Sequence, residues 1–435
     1  MTRIARTALF SLAILVPLDW FTVFSQRASV IQAAEETDDL GIPETNDGLA
    51  GEGPIRRADW FHNVWNSRRT EFRNSAAEQK GAVVLLGDSI TQGWGNQTDT
   101  LFAGMRIANR GISGDTTRGM LYRLNVDVLS LEPSAVVMLM GTNDLEEKAT
   151  PEIIAGNVAL IIEAIQKHNP NTPIVLCQIF PSSASKNRPA DQIKATNALL
   201  MAYAKGKPQI TVVDTWTLFA DENGDAPASD FPDLLHLNES GYSKWASALR
   251  PIFATLGFLE TDADGFEPET GFEMLFNGRD LTGWSFRTET ETTAFDGAKE
   301  TPDHRYRAIN GRLVVATPPE GRKVQQLWTT RKFPGDFVMK LEFRATPNAD
   351  SGVFIRQPQL QCRDYRLAGP YKNLKSYKPQ DWNELEVTVK GNIAYCTCNG
   401  EVLEAEFKLP ETGPIGLEGD QGQMEYRRIR VKQLP

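Results

Sequence analysis

Val83-Val84-Leu85-Leu86-Gly87-Asp88-Ser89-Ile90-Thr91 is the stretch on which the fold turns. Four consecutive apolar residues without polar alternation read as a short strand buried on both faces, the kind found in parallel sheets with helices on either side. The same texture returns at 135–140, 174–179 and 210–214, so the expected strands are 82–86 and these three. Helical patterns fill the gaps. After the second strand, Thr150 caps a helix with Pro151 at its first position, and Ile153, Ile154, Val158, Ile161, Ile162 and Ile165 form its buried stripe. Such alternation predicts an α/β domain built on a parallel sheet.

A serine just past the first strand stands at the sheet edge where ligands of open α/β folds collect. Gly-Asp-Ser alone is ordinary turn chemistry; a nucleophilic role needs a base. Of the four histidines, His62 lies among Trp60, Phe61 and Trp65 in an amphipathic pattern, His168 ends a helix, and His304 belongs to the C-terminal part. His236 remains, in Asp233-Leu234-Leu235-His236-Leu237-Asn238. Three residues of separation around a turn let Asp233 accept a hydrogen bond from one imidazole nitrogen while the other faces Ser89. Donors for a developing oxyanion are offered by the Gly111 N–H in Asn109-Arg110-Gly111-Ile112-Ser113-Gly114 and by the Asn143 amide in Gly141-Thr142-Asn143-Asp144.

Taken together and in order, these four segments resemble the blocks of the SGNH hydrolases, a branch of the GDSL esterase and lipase superfamily. The resemblance covers roughly residues 59–256. It implies a flavodoxin-like three-layer fold with Ser89 as nucleophile, Asp233 and His236 as its partners, and an oxyanion hole of Gly111, Asn143 and the Ser89 N–H. GDSITQGWG, NRGISGDTT, MGTND and DLLHLNESGY look closest to the platelet-activating-factor acetylhydrolase-like and carbohydrate acetylesterase branches. Those branches imply short acyl groups. The serine motif lacks the second glycine of an α/β-hydrolase elbow, and HExxH, a P-loop and a strand-anchored dinucleotide fingerprint are absent. No cofactor and no metal are called for. Asp221-Glu222-Asn223-Gly224-Asp225 and Asp262-Ala263-Asp264-Gly265 lack the full calcium ligand set and read as solvated turns.

Outward from this domain the chain changes character. Arg3 and Arg6 followed by an apolar run at 8–18 read as an export signal over 1–34, with an uncleaved anchor as the alternative. An acidic leader, expected to be flexible, follows at 35–54, and the hydrolase domain spans 55–258. Acidic residues without bases at 259–270 mark a linker, and 271–435 form a second domain. There the period becomes two: Phe337, Met339, Leu341 and Phe343 alternate with polar or wet positions, as do Leu385, Val387 and Val389. Gly391-Asn392 and Asn399-Gly400 are hairpin signals, so an antiparallel β-sandwich is expected.

From Phe272 onward, FEMLFNGRDLTGWSF, FVMKLEFRATPNADSGVFIR and DWNELEVTVKGNIAYCTCNGEVL resemble the 3-keto-disaccharide hydrolase-like domain. The resemblance implies a concanavalin-like β-sandwich that acts on or binds sugars. Two positions depart from the family pattern, Gln359 and Gln421, and glutamine cannot shuttle a proton. Glycan binding is therefore expected over catalysis, with Asp350, Arg356, Gln361 and Asp364 furnishing a polar groove. Trp284, Trp328 and Trp382 are candidates for sugar stacking or for the core.

A net charge of −10 over 435 residues argues against a nucleic-acid partner. Of the four cysteines, Cys177 reads as a small buried hydrophobe, while a bridge from Cys362 to Cys396 or Cys398 is geometrically conceivable. The expectation is an exported serine esterase, periplasmic, extracellular or on the cell surface, that removes acetyl or other short acyl groups from carbohydrates. The alternatives are a surface glycan-binding protein with a vestigial esterase domain, and 3-keto-glycoside cleavage by the C-terminal domain.

Overall fold

Every residue of β1 (Val83–Gly87) is buried, and its side chains divide between two layers. Val84 and Leu86 pack with Met120, Ile154, Ile161, Ile193 and Leu200 on one side, while Val83 and Leu85 pack with Trp94, Trp245, Leu249 and Ile252 on the other. A strand that is apolar on both faces can be satisfied only in the middle of three layers. In the computed structural model, which describes residues 40–262, 265–288, 290–316, 325–364 and 369–435, β1 is central. It pairs in parallel with β2 (Ile107–Gly111) on one edge and β3 (Ala135–Leu139) on the other. β4 (Ile174–Cys177) and β5 (Ile210–Val213) complete the sheet in the order β2-β1-β3-β4-β5. This is the flavodoxin-like order, with the switch point beside β1 and its ligand crevice at the carboxyl ends of the strands.

The helices of this half are α1 (Asp59–Ser75), α2 (Ser89–Gln92), α3 (Gln97–Leu101), α4 (Thr117–Asp127), α5 (Thr142–Glu146), α6 (Pro151–His168), α7 (Ala190–Ala204), α8 (Thr215–Phe219) and α9 (Glu239–Thr255). The Thr150 hydroxyl caps α6 through the Ile153 N–H, with Pro151 following, as its sequence predicts.

Two expectations need correction. β2 is a fifth strand that no apolar run announces, since Ile-Ala-Asn-Arg-Gly carries polar residues inward: Arg110 is buried, donates to the Asp127 carbonyl and lies over the Phe72 ring. The acidic leader is not free over 40–54. Ile42 and Ile55 join Phe61, Trp65 and Phe72 in a small core, Trp65 Nε1 donates to the Leu40 carbonyl, and the Arg118 guanidinium donates to the carbonyls of Asn46, Leu49, Ala50 and Gly53. The segment's carbonyls satisfy a buried cation, a demand that composition alone does not reveal. The expected export signal at 1–34 and the leader's first residues lie outside the described residues.

The C-terminal half is an antiparallel β-sandwich. Its strands are β6 (Glu273–Met274), β7 (Trp284–Arg287), β8 (Thr292–Ala294), β9 (Tyr306–Ile309), β10 (Arg312–Val315), β11 (Leu327–Thr329), β12 (Phe337–Ala345), β13 (Asp350–Ile355), β14 (Gln359–Arg363), β15 (Asn383–Lys390), β16 (Ile393–Cys398), β17 (Glu401–Lys408), β18 (Ile415–Gln421) and β19 (Met424–Gln433). One sheet runs β17-β16-β15-β12-β19-β10-β9 with β6 added on β19, and the other runs β14-β13-β18-β11-β7-β8. The register sets Phe337 opposite Val389, Met339 opposite Val387 and Leu341 opposite Leu385, so the alternating apolar residues meet inside.

All four cysteines are free and buried. Cys362 lies on one sheet and Cys396 and Cys398 on the other, each packed as a small apolar residue, and burial pushes the Cys396 and Cys398 thiols up to about 12. The expected linker is likewise held. Glu260 accepts from Arg344 and Arg312, and Glu269 accepts from Arg430, so residues near both of its ends are tied to the sandwich.

Candidate active site

Ser89 opens α2 directly after β1, where the carboxyl end of the central strand delivers it to the sheet edge. Its hydroxyl lies 2.9 Å from His236 Nε2. His236 Nδ1 lies 2.7 Å from Asp233 Oδ2, and Asp233 Oδ1 accepts the backbone N–H of His236 at 2.7 Å and that of Leu235 at 3.1 Å. The turn that achieves this holds Leu234 at φ 65°, and its carbonyl is tied down by the Ser182 hydroxyl at 2.8 Å. Asn238 then caps α9 through the Gly241 N–H, and Tyr242 of the same helix donates to the Ile90 carbonyl at 2.7 Å. The helix that follows the histidine is thus bolted to the helix that begins with the serine.

The electrostatics favour this order of charges. Burial raises the Asp233 carboxyl, but the hydrogen bonds from the His236 backbone and ring, with that of Leu235, outweigh it and leave the group at about 2. An ionised Asp233 on Nδ1 selects the tautomer whose Nε2 is the acceptor toward Ser89. Below the site the acids behave differently. Burial raises Asp88 to about 7 and Asp115 and Asp144 to about 6, although Arg188 lowers the first and Arg123 the second.

The oxyanion donors of the sequence reading divide. Asn143, at the start of α5, donates one amide N–H to the Asp115 carbonyl at 2.9 Å and accepts Arg188 Nη2 on Oδ1 at 3.1 Å. Its orientation is fixed from both ends, with one N–H left over. Gly111 does not serve as expected: its N–H donates to Asn109 Oδ1 at 2.9 Å. Its lack of a side chain has another reason. A Cβ there would lie 2.2 Å from the Gln92 nitrogen and 2.8 Å from the Asp88 carbonyl oxygen, so glycine lets β2 pass beneath α2. The glycine whose N–H donates to no group among the described residues is Gly114, at φ 86°, in a loop pinned to α2 by Ser113 N–H and hydroxyl bonds to Gln92 Oε1. The Ser89 N–H is open in the same sense.

Two residues escaped the sequence reading. Gly114 had a signal, being the second glycine of NRGISGDTT. Arg188 had none, because it comes from a loop 45 positions beyond Asn143. Its buried guanidinium also donates to the carbonyl and hydroxyl of Thr142, to the Lys186 carbonyl and to Glu146.

The four candidate glycan-binding residues do not form one groove. Asp350 and Gln361 lie on the outer face of the second sheet, where Asp350 pairs with Arg363. Arg356 is 2% exposed, and its guanidinium donates to the carbonyls of Phe333, Gly335, Gly391 and Pro410, which makes it a strut between loops. Asp364 is 1% exposed and accepts the Asn348 N–H and the Gln380 amide. Trp284 is core, Trp328 packs on Phe354, and Trp382 lies beneath the Arg344 and Arg427 guanidinium groups.

A parallel five-stranded sheet with a hydrogen-bonded serine, histidine and aspartate at its carboxyl edge defines the class: an esterase-type serine hydrolase. The comparisons agree. Residues 85–244 match the GDSL-like Lipase/Acylhydrolase family and residues 271–432 match the 3-keto-alpha-glucoside-1,2-lyase-like domain, so the chain joins a GDSL-like acylhydrolase domain to a sandwich similar to that second family. Similar proteins include platelet-activating factor acetylhydrolase IB subunit alpha2 of Homo sapiens, 28% identical over 195 residues that cover 44% of this chain and 84% of that one. The alpha1 subunit of Rattus norvegicus is 28% identical over 215 residues, covering 47% and 91%. A GDSL-like lipase from Bacteroides thetaiotaomicron aligns over 42% of this chain and 97% of that one, at 25% identity and a TM-score of 0.38.

Proposed function

We propose that the chain is an exported esterase that removes acetyl or other short acyl groups from carbohydrates, with Ser89 as nucleophile, His236 as general base and then acid, and Asp233 as the group that orients and charges the pair. The single observation that supports it most is the continuous contact from the Ser89 hydroxyl through both nitrogens of His236 to Asp233. Ser89 Oγ attacks the ester carbonyl as its proton passes to Nε2. The carbonyl becomes an oxyanion facing the Ser89 N–H, the free N–H of Asn143 and the Gly114 N–H. Collapse expels the sugar alkoxide, which takes the proton from His236, and water repeats the sequence on the acyl-enzyme. The sugar preference is supported by the family match of the sandwich domain, and export by the basic and apolar N-terminal pattern of the sequence.

The test is hydrolysis of acetylated xylan and of 4-nitrophenyl acetate by the full chain. Ser89→Ala is expected to lower kcat by roughly 10³-fold or more with KM near that of wild type. Equal turnover by wild type and variant would discard the assignment.

A second reading, sugar chemistry in the sandwich itself, is favoured by Glu418. Burial raises its carboxyl, Asp420 and Asp350 add to the effect, and the Gln326 and Gln359 amides hold it on the outer face. Turnover of a 3-keto-disaccharide by Ser89→Ala protein would establish it, and turnover by neither protein would exclude it.

A further inference from the structure

Among the described residues, the two halves meet along the C-terminal part of α9. At its C-terminal end the contact is closed: Gln423 Nε2 donates to the Pro251 carbonyl at 3.1 Å and to the Thr255 hydroxyl at 2.9 Å, and Arg312 donates to the Ala254 carbonyl at 3.0 Å. Beside it Asn348 Nδ2 donates to Asp214 at 2.6 Å. Toward the N-terminal end the sandwich stands off, leaving a cleft of about 370 Å³. That end of α9 begins three residues after His236.

The walls of the cleft are of one chemical kind. Ser240, Ser243, Lys244 and Ser247 line it from α9, and Asp364 and Gln380 face them from the sandwich. Ser240, Ser243 and Ser247 recur at helical spacing, so a single stripe of hydroxyls looks across the gap. The Ser240 and Ser243 hydroxyls bond to no group among the described residues, whereas Ser247 is satisfied by the Ser243 carbonyl. The opposite wall is rigid, because Gln380 donates to Asp364, which also accepts the Asn348 N–H. Lys244 pairs with Asp230 at 2.9 Å, and the Asp364 carboxylate is held by the Gln380 amide and the Asn348 N–H. Leu218 and Pro379 add small apolar patches suited to the C–H faces of a sugar ring.

Contacts between domains within one chain ordinarily close on apolar or paired surface. Here the exposed hydroxyls of Ser240 and Ser243 face a gap whose volume falls in the range of ligand sites, roughly 300–1,000 Å³. We propose that this interdomain cleft is an accessory subsite for a neutral, hydroxyl-rich saccharide segment of the ester substrate. It rests on the carbohydrate-esterase reading and deepens it: the sandwich supplies the second wall of a cleft whose first wall is the end of α9 that follows His236. Neither half contains the site alone.

The experiment uses the full chain and a neutral, partly acetylated xylo-oligosaccharide. Calorimetry on Ser89→Ala protein measures binding without turnover, and Ser243→Trp, with Ser247→Trp as the second variant, fills the cleft from an exposed helix face. Binding is expected to weaken about five-fold or more, the worth of one or two hydrogen bonds. In the active protein the same variants are expected to raise KM for the oligosaccharide by a similar factor with kcat within about two-fold. Unchanged binding in both variants, or no binding by the parent, overturns the cleft while leaving ester hydrolysis standing. Cleft-sensitive binding by a protein whose wild type hydrolyses no ester would remove the esterase reading and keep the cleft as a saccharide site.

Discussion

Arg188 shows how a residue remote from the chemistry can set it. A carboxamide has two nearly equivalent orientations, and only the one with nitrogen toward the substrate helps an oxyanion. The guanidinium on Asn143 Oδ1 selects that orientation, and its own position is fixed by Thr142 and Glu146. Arg188→Met is expected to lower kcat by roughly ten-fold with KM little changed, short of the ~10²–10³-fold typical of deleting an oxyanion donor. Because the effect passes through Asn143, the double variant Arg188→Met/Asn143→Ala should be no slower than Asn143→Ala alone. Steady-state kinetics on 4-nitrophenyl acetate checks both, and additive losses would assign Arg188 a separate role.

Among the elements, the crossing of β2 beneath α2 places the tightest demand on sequence. Gly87 and Gly111 are register partners, and the ideal Cβ at Gly111 would overlap the Gln92 backbone. Gly111→Ala must therefore push α2, and Ser89 with it, off the sheet edge. The expected outcome is a loss of about 1–3 kcal/mol in stability, as for other overpacked sites, together with reduced kcat. A thermal melt and a rate measurement on the same preparation check it; a variant with the wild-type melting temperature would show that the crossing relaxes freely. The corresponding glycine in the next turn, Gly114, is held at positive φ with the Trp60 ring 2.5 Å from where a Cβ would stand, so both glycines of the loop are architectural before either is chemical.

At the scale of the whole molecule, buried carboxylates govern the response to pH. Asp88, Asp115 and Asp144 are raised from 3.8 to about 7, 6 and 6 by burial. Between roughly pH 4 and 7 the folded protein holds protons that the unfolded chain has released, so stability falls as pH rises through that window and levels off above it. Asp233, lowered to about 2, has the opposite sign but acts below pH 4 and leaves this window alone. The melting temperature is expected to be lower at pH 8 than at pH 5, by ~2–4 °C for each kcal/mol of linkage. Asp88→Asn retains the acceptor for the Ile90 N–H and should shrink the drop; an equal drop in wild type and variant would remove Asp88 from the account. The joint between the halves is built from the same kind of group. Glu425, buried, and Glu260 are clasped by Arg344 and Arg312, a network in which removing one partner leaves a charge without compensation.

What the sequence determined by itself was whatever is written locally. Doubly buried strands follow from uninterrupted apolar runs, the sandwich from alternation and hairpin dipeptides, and the pairing of Asp233 with His236 from three residues around one turn. Each depends on neighbours a few positions away, where chain geometry leaves few choices. Only the tertiary structure decided the rest. It turned the acidic leader into a packed strap because Arg118 needed carbonyls, and gave β2 polar residues a buried place through Arg110. It passed the open loop N–H from Gly111 to Gly114, spent Arg356 on backbone carbonyls and Asp364 on an amide and an N–H, and kept Cys362 apart from Cys396 and Cys398 as packed thiols. Apart from Gly111, whose N–H is taken by Asn109 two positions away, the deciding partner in these cases lies far along the chain, and the satisfaction of a buried polar group is settled by what the fold brings near, which no local pattern records.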